Sequence, residues 1–252
     1  MCKKLCSLAI LVVMLAALPV WAGGKQDKKA SEGFATVTDH QGRTVVIPQK
    51  PERIVAPFYI LSNTALAIGC REYIVSGDGG KSGRPFIKEF APELADKPAC
   101  GGAKNLNLEA VASLSPDLIL VPFKAAQQLP QIEALGVPAL VIEPETMKNF
   151  FSYVEMLGAA SGNREQAQKL LTFYKTILND VAGFVKGEPA VSVYVASRSD
   201  PLNALSPKMF QAELVAAAGG KLVSDDITDV YWTKVSLEQV QKYAPQVIVA
   251  AT

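Results

Sequence analysis

The sequence predicts an α/β protein with two lobes, each built on a mainly parallel sheet, joined by one long helix. Three observations predict this fold. A unit of helix cap, short helix, proline and apolar strand occurs twice, over 107–120 and 236–249. Short β-branched runs alternate with helical segments elsewhere, which is typical of parallel sheets. Residues 147–186 carry no strand signal, and a unit that recurs across such a gap indicates two similar lobes around a cleft.

The two copies of the unit share their local chemistry. Asn107 and Ser236 suit the N-cap position, because their side chains can accept a backbone N–H from the first helical turn. Glu109 and Glu238 fall in that turn, where the helix dipole stabilises a negative charge. A proline then ends each helix, and the apolar run after it predicts a strand buried on both faces.

Composition narrows the function classes. The chain has 252 residues, of which 49% are apolar, enough for one or two domains with a substantial core. The formal net charge is +1 and no dense basic run follows the N-terminus, so nucleic acid is not an expected partner. We expect the protein to be a monomer.

The N-terminus has the pattern of a cleaved secretory signal peptide over residues 1–22. Lys3 and Lys4 precede an apolar run over 8–20, which is too short for a typical membrane span, and a small-residue cleavage site follows. The alternative is an uncleaved N-terminal anchor. Gly23 stands where a bacterial lipoprotein would carry its cysteine, so we expect a soluble protein in the periplasm.

The first α/β lobe is predicted over residues 34–146, after a polar leader over 23–33 that we expect to be disordered. The lobe opens with a hairpin over 34–48, whose turn contains His40 and Gly42. A parallel sheet interleaved with helices follows. Its predicted strands are 53–56, 73–77, 117–120 and 139–142, and its predicted helices include 62–68, the helix of the first repeat and one that closes at 132–135.

A helical connector is predicted over residues 147–187, with Gly162 between a shorter and a longer helix. Apolar residues recur at helical spacing in the longer one. They are Ala167, Leu170, Leu171, Tyr174, Ile177, Leu178, Val181 and Val185. At 1.5 Å per residue this helix is roughly 35 Å long, which would let it lie along both lobes. The alternative is an ordinary crossover helix within one domain.

The second α/β lobe is predicted over residues 188–252, with a strand over 190–195, a helix over 209–218 and the second copy of the repeat. The first lobe continues past its copy through another helix and strand, whereas the second does not. The sequence therefore predicts an incomplete second lobe, and such a sheet would have an exposed edge.

Short segments occur in a characteristic order along most of the chain. They are 36–39, 42–45, 51–55, 107–109, 116–119, 217–220 and 235–239. Together they resemble the substrate-binding proteins of ABC importers for iron–siderophore complexes, haem and cobalamin, a family with a helical backbone. The resemblance implies two Rossmann-like lobes joined by one long helix. It also implies capture of a metal chelate between the lobes and delivery to an ABC permease in the inner membrane.

The same resemblance suggests how the permease is reached. In that family one glutamate on the outer tip of each lobe pairs with arginines of the permease, and Glu109 and Glu238 match these positions. The alternative is that both glutamates only stabilise their helix dipoles. Members of the family usually continue for several elements after the second copy, which this chain does not do.

Ligands of open α/β sheets bind at the carboxyl ends of the strands. Loops at those ends carry aromatic and cationic residues, which suit a large, flat or anionic ligand. The candidate ligand-binding residues are Phe58, Tyr59, Arg84, Lys104, Arg198, Tyr231 and Trp232. For Trp232 the alternative is core packing, for Tyr59 and Arg198 it is local structure, and for the remaining cations it is a solvated surface charge.

Metal binding and catalysis find little support in the sequence. The single histidine, His40, lies in a predicted turn, and no cluster of metal ligands or Ser-His or Cys-His set can be built around it. We therefore expect a binding protein with no cofactor, no bound bare metal and no enzymatic activity. The alternatives are an oxyanion-binding protein for molybdate or tungstate, a truncated remnant without transport function, and a chelatase-like enzyme.

Two cysteines, Cys70 and Cys100, remain after the predicted cleavage, and an oxidising compartment would permit a disulfide. The sequence does not decide the pairing, and we expect two separate thiols.

Overall fold

The computed structural model describes residues 33–77, 85–197 and 200–250. The predicted signal peptide and nearly all of the predicted leader lie outside the described residues, as do Arg84 and Arg198. From Glu32 onward the chain forms one compact unit. No helix in the described ranges is long and apolar enough to cross a membrane.

The described chain opens with the predicted hairpin. Strands β1 (Ala35–Thr38) and β2 (Thr44–Ile47) pair antiparallel. Gly42 has a φ of 75°, a left-handed conformation that glycine adopts without steric cost, and this closes the turn after His40. Alternate residues of β1 are buried, so one face of the hairpin packs on the core.

The first sheet consists of three parallel strands in the order β3 (Ile54–Val55), β4 (Leu118–Pro122) and β5 (Ala139–Ile142). All of their residues are buried, as expected for strands covered on both faces. The predicted strand over 73–77 is reduced to isolated bridges, from Ile74 to Ile54 and from Gly77 to Ala99.

Five α-helices of the described residues accompany this sheet. They are α1 (Tyr59–Ala67), α2 (Pro85–Phe90), α3 (Leu108–Ser113), α4 (Leu129–Glu133) and α5 (Met147–Ser161). We refer to β1–β5 and α1–α5 as the first lobe. Apolar clusters lie on both sides of the sheet, one beneath α1 and α5 and the other beneath α3 and α4.

The long helix α6 (Arg164–Val185) has 22 residues, so at 1.5 Å per residue it is roughly 33 Å long. It packs against α5 as a helical hairpin, with Gly162 between the two helices at a φ of 79°. Its first turns are anchored in the first lobe, where Ala167 and Leu171 are buried, and it also contacts α7 (Phe210–Ala217). The predicted long connecting helix is present.

The second sheet is mixed. Strand β6 (Val191–Ala196) pairs parallel with β8 (Gly220–Leu222) and β10 (Val247–Ala250), whereas β7 (Asn203–Leu205) is antiparallel to both β6 and β9 (Trp232–Lys234). We refer to β6–β10 with α7 and α8 (Leu237–Tyr243) as the second lobe.

The two copies of the repeat differ in burial. Strand β4 is buried along its whole length, as predicted. The prediction of a buried strand is wrong for β10, in which Val247, Ile248 and Val249 are 43%, 61% and 44% exposed. The physical reason is that β6 is the only described element that packs extensively against β10.

Both cysteines of the described chain, Cys70 and Cys100, are buried free thiols, as expected from the sequence. Burial raises the pKa of each thiol.

Candidate functional site

The carboxyl ends of β3, β4 and β5 converge on one edge of the first sheet. The residues that follow these strands line a narrow crevice of about 20 Å³. Its lining consists of Phe58, Ala103, Pro122, Phe123, Lys124, Ile142, Glu143, Pro144 and Glu145. The parallel register of the three strands therefore places aromatic, cationic and acidic side chains together, at the edge where open α/β sheets bind ligands.

Tyr231 brings the second lobe to this crevice. Lys124 Nζ lies 4.9 Å from the centroid of the Tyr231 ring, within the range of a cation–π contact, and 3.5 Å from Glu145 Oε1. Burial raises the pKa of the Tyr231 hydroxyl, and the carboxylates of Glu143 and Glu145 raise it further. Tyr231 of the second lobe therefore contacts a residue that lines the crevice, so the two lobes meet at this edge of the first sheet. We refer to this meeting point of the lobes as the cleft.

His40 holds the strand end that carries Glu143. Its Nδ1 accepts the Glu143 backbone N–H at 2.8 Å, so Nε2 carries the proton of the neutral ring and donates to Ser152 Oγ at 2.7 Å. Burial lowers the pKa of His40, against the attraction of Asp39, which raises it. The hairpin turn therefore positions the end of β5 through a neutral imidazole.

Asp39 fixes the same turn from the other side. Its carboxylate accepts the backbone N–H groups of Gln41, Arg43 and Val141 and pairs with the Arg43 guanidinium at 2.6 Å. Burial opposes ionisation, but Arg43 and the backbone donors outweigh it and lower the pKa of Asp39. The ionised Asp39 carboxylate consequently attaches the hairpin to β5, because it accepts the backbone N–H of Val141.

The structure places the predicted ligand-binding residues at several different positions. Phe58 lines the crevice, and Tyr231 contacts Lys124, another residue of its lining. Tyr59 begins α1 with its ring 4.6 Å from that of Phe58, and it faces a different cavity. Lys104 is exposed beside the crevice, where its carbonyl accepts a hydrogen bond from the Gln127 amide. Arg84 and Arg198 lie outside the described residues.

Trp232 does not occupy the loop that the sequence predicts. It begins β9 opposite Leu205 and packs against the buried cluster of Val193, Val195, Leu205 and Leu222. The β-strand follows because the aromatic and β-branched pair Trp232–Thr233 suits a half-buried pleated surface. Its role in ligand binding stays a prediction.

Sequence reasoning missed the charged and positioning residues of the cleft. Lys124, Glu143 and Glu145 are single charges after strands, and such residues usually read as solvated surface. Only their place after consecutive parallel strands could have marked them. His40 was also missed, because its role depends on contacts with Glu143 and Ser152, which are more than a hundred residues away in sequence.

The predicted caps of the two repeat helices are confirmed. Asn107 Oδ1 accepts the Ala110 N–H and Ser236 Oγ accepts the Gln239 N–H, each at 3.1 Å. Glu109 and Glu238 are exposed in the first turns of α3 and α8. Within the described ranges, no three His, Cys, Asp or Glu side chains are grouped so that they could hold a metal ion.

Comparison with known proteins gives three informative matches. The sequence profile of the periplasmic binding proteins matches residues 63–252. The vitamin B12-binding protein of Yersinia pestis (strain Pestoides F) is 30% identical, over 81% of this chain and 70% of that protein. An uncharacterized ABC transporter substrate-binding lipoprotein of Bacillus subtilis (strain 168), YvrC, is 25% identical over 96% of this chain and 78% of that protein.

A solved structure with a similar fold is the molybdate periplasmic binding protein MolA of Haemophilus influenzae, bound to molybdate. The TM-score is 0.73 at 22% sequence identity, over 85% of this chain and 73% of that one. At this identity the likeness bears on the fold alone. These relatives are binding proteins rather than enzymes.

Proposed function

Because this chain belongs to the periplasmic binding protein family, we propose that it captures a metal chelate in the cleft between its lobes and delivers it to an ABC permease. The proposed cargo is a ferric siderophore, haem or cobalamin. The observation that carries the proposal is the meeting of both lobes at the strand ends. There Lys124 Nζ lies over the Tyr231 ring, and Phe58 and Phe123 line the crevice. Aromatic rings supply the area that a large, flat chelate needs.

The charges of the cleft favour a chelate over an oxyanion. Of the described side chains that line the crevice, Glu143 and Glu145 are acidic and Lys124 is the cation. Lys124 already pairs with Glu145 at 3.5 Å. A small dianion such as molybdate would therefore meet a neighbouring carboxylate at close range, which is repulsive in a partly desolvated site.

Permease docking is proposed at Glu109 and Glu238. Both are exposed, and each occupies the same position in its copy of the repeat, in the first turn of a capped helix. Two matched carboxylates on separate lobes can bind two arginines of a pseudo-symmetric partner. The proposal includes export to the periplasm by the N-terminal segment 1–22 and a permease in the inner membrane.

Isothermal titration calorimetry with ferrichrome, haem, cobalamin and molybdate tests the cargo. We expect saturation at one equivalent by one of the three chelates. Tyr231→Ala should weaken that binding about tenfold, because a large ring at the centre of a binding site typically contributes more than 1 kcal/mol. Val230→Ala, at the exposed neighbouring position, should leave binding unchanged. Saturation by molybdate alone, or by no ligand in a folded sample, would contradict the proposal.

A further inference from the structure

A second cavity of about 400 Å³ lies between α1, α2, α5 and α6, beside the cleft. Its lining consists of Tyr59, Ile60, Asn63, Thr64, Ala67, Phe86, Phe150, Leu170 and Tyr174. We propose that this cavity is a binding site for an uncharged aromatic group that donates one hydrogen bond to Asn63.

The walls select a flat, uncharged ligand. Of the lining side chains that the structure describes, four are aromatic and none is charged. Phe150 and Tyr174 meet edge to face with centroids 5.5 Å apart, and Phe86 at the mouth is 44% exposed. A ring entering between them would gain further aromatic contacts, whereas an ion would lose hydration without a compensating charge.

Asn63 supplies the polar selectivity. Its Oδ1 is buried and, within the described structure, has no hydrogen-bond donor. The neighbouring Thr64 hydroxyl cannot serve as that donor, because it donates to the Ile60 carbonyl at 2.8 Å. A buried acceptor without a donor lowers the stability of the folded protein. Since the oxygen accepts no hydrogen bond from the described residues, no such bond holds the amide in its present orientation. The oxygen has almost no accessible surface, so the amide must rotate before a ligand can reach it. A bound N–H or O–H group that donates to the rotated oxygen would remove that loss of stability.

The position of the cavity allows two sources for such a group. Phe58 lines the cleft and Tyr59 lines the second cavity, and their rings touch edge to face at 4.6 Å. The ligand is therefore either an aromatic appendage of the cleft cargo or a separate small molecule. In both cases the bound group is an uncharged aromatic ring with one hydrogen-bond donor, and its binding can be tested without knowing the cargo.

Indole and 1-methylindole are suitable probes, since they share a flat ring and differ in the N–H donor. We expect saturable binding of indole by calorimetry or saturation-transfer NMR, about five- to tenfold tighter than that of 1-methylindole. Asn63→Leu, which keeps the side-chain size, should abolish this difference. Asn179→Leu, on the exposed surface of α6, should preserve it.

Phe86→Ala provides a second variant with little risk to folding, because the ring is partly exposed, and it should weaken both probes. Two results would overturn the proposal: no saturable indole binding to folded protein, or equal affinity for the two probes in the unmodified protein. In a second titration, competition between indole and a chelate bound in the cleft would identify the cavity as part of the cargo site. Independent binding would identify a separate ligand.

Discussion

At the scale of single residues, the cleft depends on a histidine that does not line it. His40 accepts the Glu143 N–H only while Nδ1 is unprotonated, and its pKa is lowered by burial. A histidine whose pKa is lower in the folded than in the unfolded protein does not reduce the free energy of unfolding at a pH above its unfolded pKa. Stability is then lost as the pH falls from about 6.5 through the folded pKa.

We therefore predict that the free energy of unfolding decreases between pH 7.5 and pH 5, and that most of this decrease disappears in His40→Gln. His40 is the only histidine, so no other side chain with an ordinary pKa titrates in the middle of this range. At pH 7.5 the free energy of unfolding of the variant should itself be lower by about 1–3 kcal/mol, because the backbone N–H of Glu143 loses the acceptor that His40 provides. Urea unfolding at several pH values measures both effects, with Gln41→Ala as the neighbouring control. A flat profile in the unmodified protein would refute the prediction.

Residues that act through local chemistry could be predicted from the sequence, whereas those that act through distant contacts could not. Asn107 and Ser236 were identifiable as caps because a cap needs only the next three residues. Phe58 and Tyr231 were identifiable because they lie in predicted loops that carry aromatic and cationic residues. Asn63 gave no signal, since its unpaired oxygen is visible only after four helices have been packed around it.

At the scale of elements, the repeat shows the limit of pattern reading. Both copies encode a capped helix, a proline and an apolar strand, and both form these elements. Only β4 is buried, because burial depends on the neighbours of a strand and not on its own residues. The long helix was predictable because its apolar residues recur over many turns.

The joint between α5 and α6 permits a matched glycine test. Gly162 has a φ of 79°, and an added Cβ would lie 2.8 Å from the Phe34 ring, so Gly162→Ala should destabilise by about 1–2 kcal/mol or more. Gly183, inside α6, has open space around its Cβ position and a helical φ. Gly183→Ala should therefore stabilise by about 0.5–1 kcal/mol. Urea denaturation should show that the free energy of unfolding falls in Gly162→Ala and rises in Gly183→Ala. A change in the same direction in both variants would refute the prediction.

At the scale of the whole molecule, the contacts between the lobes include two groups of described residues besides the connecting helix. One is the contact of Tyr231 with Lys124 in the cleft. The other lies near α6, where Glu213 Oε2 accepts the Met147 N–H at 2.5 Å and Phe210 meets Phe150 at 5.8 Å. Glu213 thus satisfies a free N–H of the first turn of α5, and a negative charge there is also stabilised by the helix dipole.

The sequence predicted two lobes and a long helix, but it gave no indication of this second interlobe contact. Glu213 and Phe210 belong to α7, whose sequence carries no sign of such a contact, and their partners lie in the first turn of α5 in the first lobe. Such contacts depend on the angle between the lobes, which no local pattern encodes. The effect of these contacts on the distance between the lobes must therefore be measured on the whole chain.

We predict that the double substitution Phe210→Ala and Glu213→Ala broadens the distribution of distances between the lobes. Spin labels at Ala112→Cys on α3 and Gln241→Cys on α8 occupy exposed positions of the two repeat helices, while Cys70 and Cys100 are buried and should label slowly. Pulsed dipolar spectroscopy should show a wider distribution than in the labelled parent, because a capping hydrogen bond and an aromatic contact across the lobes are lost together. Gln211→Ala, exposed on the same helix, should leave the distribution unchanged. An unchanged distribution in the double variant would mean that α6 and the contact of Tyr231 with Lys124 suffice to hold the lobes.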